Sequence, residues 1–203
     1  MTSLFSLFGH GLFLLALILF IVQAKHWGKY WPIAYVIAAV LIVLPIKDWL
    51  VIEFSRGYFS DLSITTVVMS TFYILNVAGA RKLDSSNVFK YSVLGLALLL
   101  YPLTLGLSML DPYAAGFSSH AMYPVFISVL SLFAFASWYF GLWQLALVLA
   151  LALLANGLSL YESNNMWNYL LDPLAVIMSL GSLLIYHSKS VYKKFNSKVQ
   201  SDV

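Results

Sequence analysis

Leu145-Ala146-Leu147-Val148-Leu149-Ala150-Leu151-Ala152-Leu153-Leu154 is apolar on every side, whichever periodicity is laid over it. An amphipathic helix on a water-soluble domain keeps a polar stripe, and a half-buried strand alternates. This run does neither, and it suits a helix surrounded by hydrocarbon. The composition around it agrees: of 203 residues, 62% are hydrophobic and 9% charged, with a mean hydropathy of +0.88. Soluble domains carry about a quarter charged residues, so this chain cannot cover a water-facing surface. Within a bilayer only helices and closed barrels satisfy their backbone groups, and barrels need short alternating segments. The expected fold class is an all-α integral membrane protein.

Outward from that run, six further apolar stretches are long enough to be read as spans of about 20 residues. The expected spans are 4–24, 31–46, 62–80, 91–110 (bent near Pro102), 123–139, 142–161 and 170–187. Gly141 makes the tight turn between the fifth and sixth. Nothing basic precedes the first stretch, whereas Lys25 and Lys29 follow it, so it reads as a retained span rather than a signal peptide. Trp27, Tyr30 and Trp31 mark a membrane interface.

Charge tests the count independently. Alternating the loops puts Lys25, Lys29, Arg81, Lys82, Lys90, Lys189, Lys193, Lys194 and Lys198 on one side, leaving only Lys47 and Arg56 on the other. Basic residues concentrate on the cytoplasmic side. The sequence therefore predicts seven transmembrane helices, with the N-terminus outside and the C-terminus cytoplasmic. Residues 1–188 read as one membrane domain and 189–203 as a basic cytoplasmic tail. The expected location is the cell inner membrane, as a multi-pass protein.

The longest charged interruption is 47–61, Lys47-Asp48-Trp49-Leu50-Val51-Ile52-Glu53-Phe54-Ser55-Arg56-Gly57-Tyr58-Phe59-Ser60-Asp61. Leu50, Val51, Phe54 and Tyr58 recur at helical spacing, with Asp48, Ser55 and Arg56 on the other side. That pattern predicts a short interfacial helix over 48–58, broken at Gly57. Ser60 or Asp61 is then expected to cap the third span. Six of the eight acidic residues fall on the outer side: Asp48, Glu53, Asp61, Asp111, Glu162 and Asp172. Topology does not require this clustering, because acidic residues contribute little to orientation.

Several chemistries are excluded. The chain has no cysteine, which removes thiolate nucleophiles, disulfide exchange and Fe–S clusters. No lysine lies between 170 and 187 to carry a Schiff base in the last span. No phosphate-binding glycine loop, nucleophile elbow or zincin helix occurs. The basic residues flank apolar runs, so nucleic acid is not an expected partner; the lipid bilayer is, together with other membrane proteins. No cofactor and no metal are expected.

The candidate site residues have structural readings beside the functional ones. Asp111-Pro112 and Asp172-Pro173 each follow a leucine. They offer two outer carboxylates for a cation or proton, or two helix starts with Asp as cap and Pro in the first turn. Asp172 sits among apolar residues, where an ionisable group is expensive and usually paired. A helical turn over 165–171 would make the last span a broken helix, a device that builds ion sites. Glu53 and Arg56 are spaced to pair across one turn, while the Arg56 fork also suits an anionic headgroup. Asp111, Ser118, Ser119 and His120 resemble loose parts of a hydrolytic site, but they share one loop; Asp111 and His120 with Glu53 or Glu162 resemble a metal site, without ligand spacing to support it. His10, alone in an apolar helix, reads as a satisfied buried group.

Three functions follow, in this order. The first is a non-catalytic accessory or interaction subunit of a membrane complex. The second is an outer-leaflet enzyme on a lipid or lipid-linked substrate, using Asp48, Glu53, Arg56, Asp61, Asp111, His120 and Glu162. The third is an ion-coupled carrier centred on Asp172, with Asn156 and Glu162 nearby. The discriminating observation is whether the outer loops converge on one pocket with His120 among the carboxylates, and whether Glu53 and Arg56 turn inward toward Asp111, His120 and Glu162 or pair at the surface.

Overall fold

The computed structural model describes residues 4–46, 49–80, 85–107 and 111–201; at 107 and from 193 onward it describes only the backbone. The described residues are all-helical in class, with 78% helix and 3% strand. Helix α1 is Leu4–Ile21 and α2 is Trp31–Ile42, joined by two short 3-10 turns. A two-stranded antiparallel ladder follows, β1 (Pro45–Ile46) against β2 (Trp49–Leu50), with Pro45 opposite Leu50. Then come α3 (Val51–Phe59), α4 (Ile64–Val77), α5 (Asn87–Pro102), α6 (Tyr123–Tyr139), α7 (Trp143–Gly157), α8 (Met166–Leu170) and α9 (Pro173–Ser201).

Among the described residues, three helical stretches are long and apolar enough to cross a membrane: Leu4–Ile21, Asn87–Gly106 and Met166–Tyr192. The apolar helices Gly28–Ile42, Ile64–Val77, Tyr123–Tyr139 and Trp143–Gly157 are shorter. At 1.5 Å per residue, the 14 residues of α4 span about 21 Å. The hydrophobic runs are longer than these helices because the apolar residues continue into turns.

The element boundaries show where local chemistry won. α2 stops at Ile42 rather than 46, since the residue before Pro45 is pushed out of the helical region and the strand pair takes over. α3 runs through Gly57, contrary to the expected break. A glycine inside a helix costs only about 1 kcal/mol, and the stop comes at Ser60, whose φ of 58° leaves the helix. The cap of α4 is Ser63, not Ser60 or Asp61, with its Oγ accepting from Thr66 N at 3.2 Å. α5 gives way at Pro102 to a π-helical turn, Leu103–Leu107, which is the bend expected there. Gly141, at φ 73°, turns α6 into α7. The last stretch is a broken helix: Leu171 is extended (φ −145°, ψ 134°) between α8 and α9. α9 continues past 188 to Ser201 without interruption.

α4 is the central helix, buried along most of its length and packed against α1, α7, α8 and α9. Ile64, Phe72, Phe89, Val148, Ala152 and Tyr169 belong to the main core. A second cluster of Ala16, Leu19, Ala34, Ile74 and Val77 joins α1, α2 and α4. Its small residues let backbones approach, as interhelical contacts in lipid require. α6 packs on α7 and turns Leu132, Phe133, Phe135 and Trp138 outward, each more than 60% exposed. Such a surface suits hydrocarbon, and the composition of the helices is that of a membrane protein.

Candidate functional site

The segment 60–63 links α3 to α4, and three of its four residues are held by polar groups from elsewhere in the chain. The fourth, Leu62, is buried against Phe13 and Val67. The Ser60 carbonyl accepts from His10 Nε2 at 2.6 Å. Asp61 Oδ1 lies 3.7 Å from Arg56 Nε, and its Oδ2 accepts from the Glu162 backbone N–H at 3.3 Å. The Ser63 N–H donates to Asp172 Oδ2 at 2.7 Å.

His10 reaches this segment because α1 comes close to its neighbours at the same level. A Cβ on Gly9 would stand 3.1 Å from Val67 Cγ2, and one on Gly11 would stand 3.3 Å from Ile52 Cδ1. His10 is fully buried and Ser55 nearly so. A carbonyl only accepts, so in the neutral imidazole the proton sits on His10 Nε2 and the lone pair on Nδ1. The Ser55 hydroxyl, 3.1 Å from Nδ1, must then be the donor. A hydroxyl thus points its proton at a base whose other nitrogen is fixed, the arrangement that activates a nucleophile. The residue that fixes it is strained: Ser60 has φ 58° and ψ −149°, close to a region only glycine occupies freely.

Arg56, next to Ser55 on α3, turns inward. Its Nε donates to Ser6 Oγ at 3.0 Å, and its Nη2 donates to Glu162 Oε1 at 3.0 Å. The side chains of Arg56, Asp61 and Glu162 are 21%, 11% and 65% exposed, so one carboxylate is enclosed and the other faces outward. Asp61 Oδ1 is buried and accepts no hydrogen bond among the described residues; the Arg56 charge is what compensates it.

Asp172 is a different kind of centre. Besides Ser63 N–H, it accepts Thr66 Oγ1 at 2.6 Å and Ala175 N–H at 2.7 Å. It therefore caps α9 and ties down the start of α4 as well. The Thr65 hydroxyl donates to the Leu170 carbonyl, left without a helical partner where α8 ends. The break before α9 is closed by α4.

The other candidates serve local turns. Glu53 Oε2 accepts from Leu50 N–H at 2.9 Å at the start of α3, and Arg56 pairs with Asp61 and Glu162 instead of Glu53. Asp111 Oδ1 accepts from the N–H groups of Tyr113 and Ala114 at 3.0 and 3.3 Å. The exposed His120 accepts from Met122 N–H through Nδ1. Asn156 Oδ1 accepts the Tyr123 hydroxyl. Asp48 lies outside the described residues. Among the described residues, no three of His, Asp and Glu gather as a metal would require.

The loops do converge. Ser118 N–H donates to the Asn164 carbonyl at 3.2 Å, Trp167 Nε1 to the Pro112 carbonyl at 2.8 Å, and the Tyr113 hydroxyl to Asn168 Oδ1 at 2.9 Å. Asn165 sits beneath Gly116, where a Cβ would come within 2.1 Å of its Oδ1. Arg56 and Asp61 then join this pair of loops to α3 through Glu162. The candidates divide into Arg56, Asp61 and Glu162, which meet, and Glu53, Asp111 and His120, which do not join them. Sequence reasoning missed Ser55 and Ser6, and set His10 aside. The available signal was Ser6 and His10 at i and i+4, the polar face of an otherwise apolar run. Comparison with family models, curated proteins and solved structures finds no match.

Proposed function

We propose that the chain crosses the inner membrane seven times, N-terminus outside and C-terminus cytoplasmic, with the converged loops outside. Three long and four shorter apolar helices support the count, and the one-sided distribution of basic residues supports the orientation. The chain has no cysteine, so introduced ones report cleanly. Cysteines replacing Ser119 and Ser163 label from outside with an impermeant reagent, while one replacing Ser197 does not. The reverse pattern overturns the scheme.

At that outer surface, we propose, the protein hydrolyses or transfers an acyl group of a lipid or lipid-linked ester. The Ser55 hydroxyl donating to His10 Nδ1, with Nε2 anchored on Ser60, is the observation that carries this reading. Ser55 Oγ attacks the ester carbonyl carbon as its proton passes to Nδ1. The tetrahedral intermediate expels the alkoxide, which takes the proton back from His10, and water or an acceptor hydroxyl then releases the acyl group. Arg56 supplies positive charge beside the reacting group. Ser55→Cys tests the pair directly, with a thiol reagent in place of the substrate. If His10 acts as its base, the thiol is partly ionised below its usual range near 8.5. Its alkylation at pH 6.5 then runs at least about tenfold faster than in Ser55→Cys/His10→Gln. Equal rates, or a thiol inert at every pH, overturn the assignment.

A second reading, the non-catalytic subunit, is favoured by one observation: His10 has no exposed surface and Ser55 is buried beside it. An inert thiol at position 55 supports it. The carrier reading has the least support, since the Asp172 carboxylate already meets three donors from two helix starts.

A further inference from the structure

We infer that Arg56 is a recognition site for the anionic phosphate of a lipid headgroup, and that Glu162 is the group this phosphate displaces. The inference narrows the substrate class of the proposed activity and rests on the same membrane-surface placement. Two sides of the guanidinium are unlike. Ser6 and Asp61, which hold Nε, are enclosed by α1 and the 60–63 segment. Glu162, which holds Nη2, is 65% exposed. Removing Glu162 would leave the Arg56 fork anchored and aimed outward, the geometry that matches two oxygens of a phosphate.

Charge also permits the exchange. Arg56 sits between two carboxylates, so the cluster already carries one net negative charge. A phosphodiester monoanion replacing the Glu162 carboxylate leaves that balance unchanged, and the buried Asp61 keeps its counter-charge. A second anion added beside Glu162 would not. Depth is set by the same helix: α3 exposes Phe54 and Tyr58, at 67% and 79%, with Trp49 just before it at 62%. Aromatic residues of this kind settle at the headgroup level, which brings Arg56 to the depth of the lipid phosphates.

The test measures binding in the Ser55→Ala protein, so that it can succeed or fail apart from the nucleophile assignment. The protein in dodecyl maltoside micelles, which carry no phosphate, is titrated with phosphatidylglycerol and, separately, with inorganic phosphate, following Trp fluorescence and lipid retention. Phosphatidylglycerol is expected to bind about tenfold more weakly after Arg56→Gln, and Arg56→Lys, which keeps charge but loses the fork, is intermediate. Glu162→Gln, a change at an exposed side chain, should tighten binding severalfold because the competing carboxylate is gone. Unchanged affinity in Glu162→Gln overturns the displacement mechanism even if the Arg56 variants fold poorly. Unchanged affinity in Arg56→Gln overturns the site. Inorganic phosphate binding as tightly as the lipid overturns the headgroup as its source.

Discussion

His10 and Asp172 both bring a titratable side chain to the 60–63 segment, and both sit in largely apolar surroundings, yet they are bonded in opposite senses. Asp172 accepts from three donors, two of them backbone N–H groups at helix starts. Each bond aims a donor at the carboxylate and fixes it where it is, so the group stabilises and does little else. His10 has one nitrogen fixed by a carbonyl and the other facing a hydroxyl that can lose its proton. A saturated acceptor holds a fold together. A base with a hydroxyl on its lone pair has a reaction open to it. Burial and polarity do not separate these two cases; the direction of each hydrogen bond does.

The comparison breaks most decisively at Asp172. Asp172→Ala leaves the Ser63 and Ala175 N–H groups and the Thr66 hydroxyl without this acceptor, and lost charge-assisted bonds of this kind cost roughly 3 kcal/mol or more together. Asp172→Asn retains an amide oxygen for part of the set and should lose about half as much. Thermal unfolding in detergent measures both. An alanine variant as stable as the parent would show that Asp172 is not a structural tie, and would return it to the candidates for ion coupling.

The pair Arg56 and Asp61 lies between the two extremes. Removing the guanidinium by Arg56→Leu strands a buried carboxylate oxygen that has no donor among the described residues. The expected loss is about 1–2 kcal/mol, smaller than for a fully buried pair because Arg56 is partly exposed. Arg56→Leu/Asp61→Asn should recover most of it, since no buried uncompensated charge remains and Glu162 is exposed. Additive losses in that cycle would mean that the two residues act independently and that Arg56 is held by Ser6 and Glu162 alone.

Hydrophobic runs made the helical class legible, along with the ends of α6, the turn at Gly141 and the bend at Pro102, because these depend on residues a few positions apart. The break between α8 and α9 was legible for the same reason, in the Asp172-Pro173 pair that starts a helix within an apolar run. The centre at 60–63 was not. His10 and Ser55 are 45 residues apart, and Ser63 and Asp172 are 109 apart, so no local spacing links them. The i, i+3 spacing of Glu53 and Arg56 misdirected the reading, because Glu53 could satisfy the N-terminus of its own helix while Arg56 found two carboxylates from other segments. Choosing Ser60 or Asp61 as the cap of α4 failed by a similar logic. Both are capping residue types, but one is held in a left-handed conformation and the other is drawn to Arg56, so the role falls to Ser63.

Ser60 gives the smallest effect and the sharpest division between fold and chemistry. Its exposed side chain makes no hydrogen bond among the described residues, and only its carbonyl touches His10. Ser60→Gly therefore keeps the bond to Nε2 while removing the steric cost of φ 58°. Against that gain stands the extra freedom of glycine in the unfolded chain, so the net change should be a stabilisation of about 1 kcal/mol or less. If Ser60 serves only to carry the carbonyl, the pH profile of thiol alkylation in Ser55→Cys/Ser60→Gly matches that of Ser55→Cys. If instead the strain is what presses the carbonyl against Nε2 and holds the imidazole toward Ser55, relaxing it lowers thiol reactivity at pH 6.5 while the protein becomes more stable. Opposite signs in the two measurements would assign the strained backbone to the chemistry of His10; matching profiles would leave it a feature of the turn between α3 and α4.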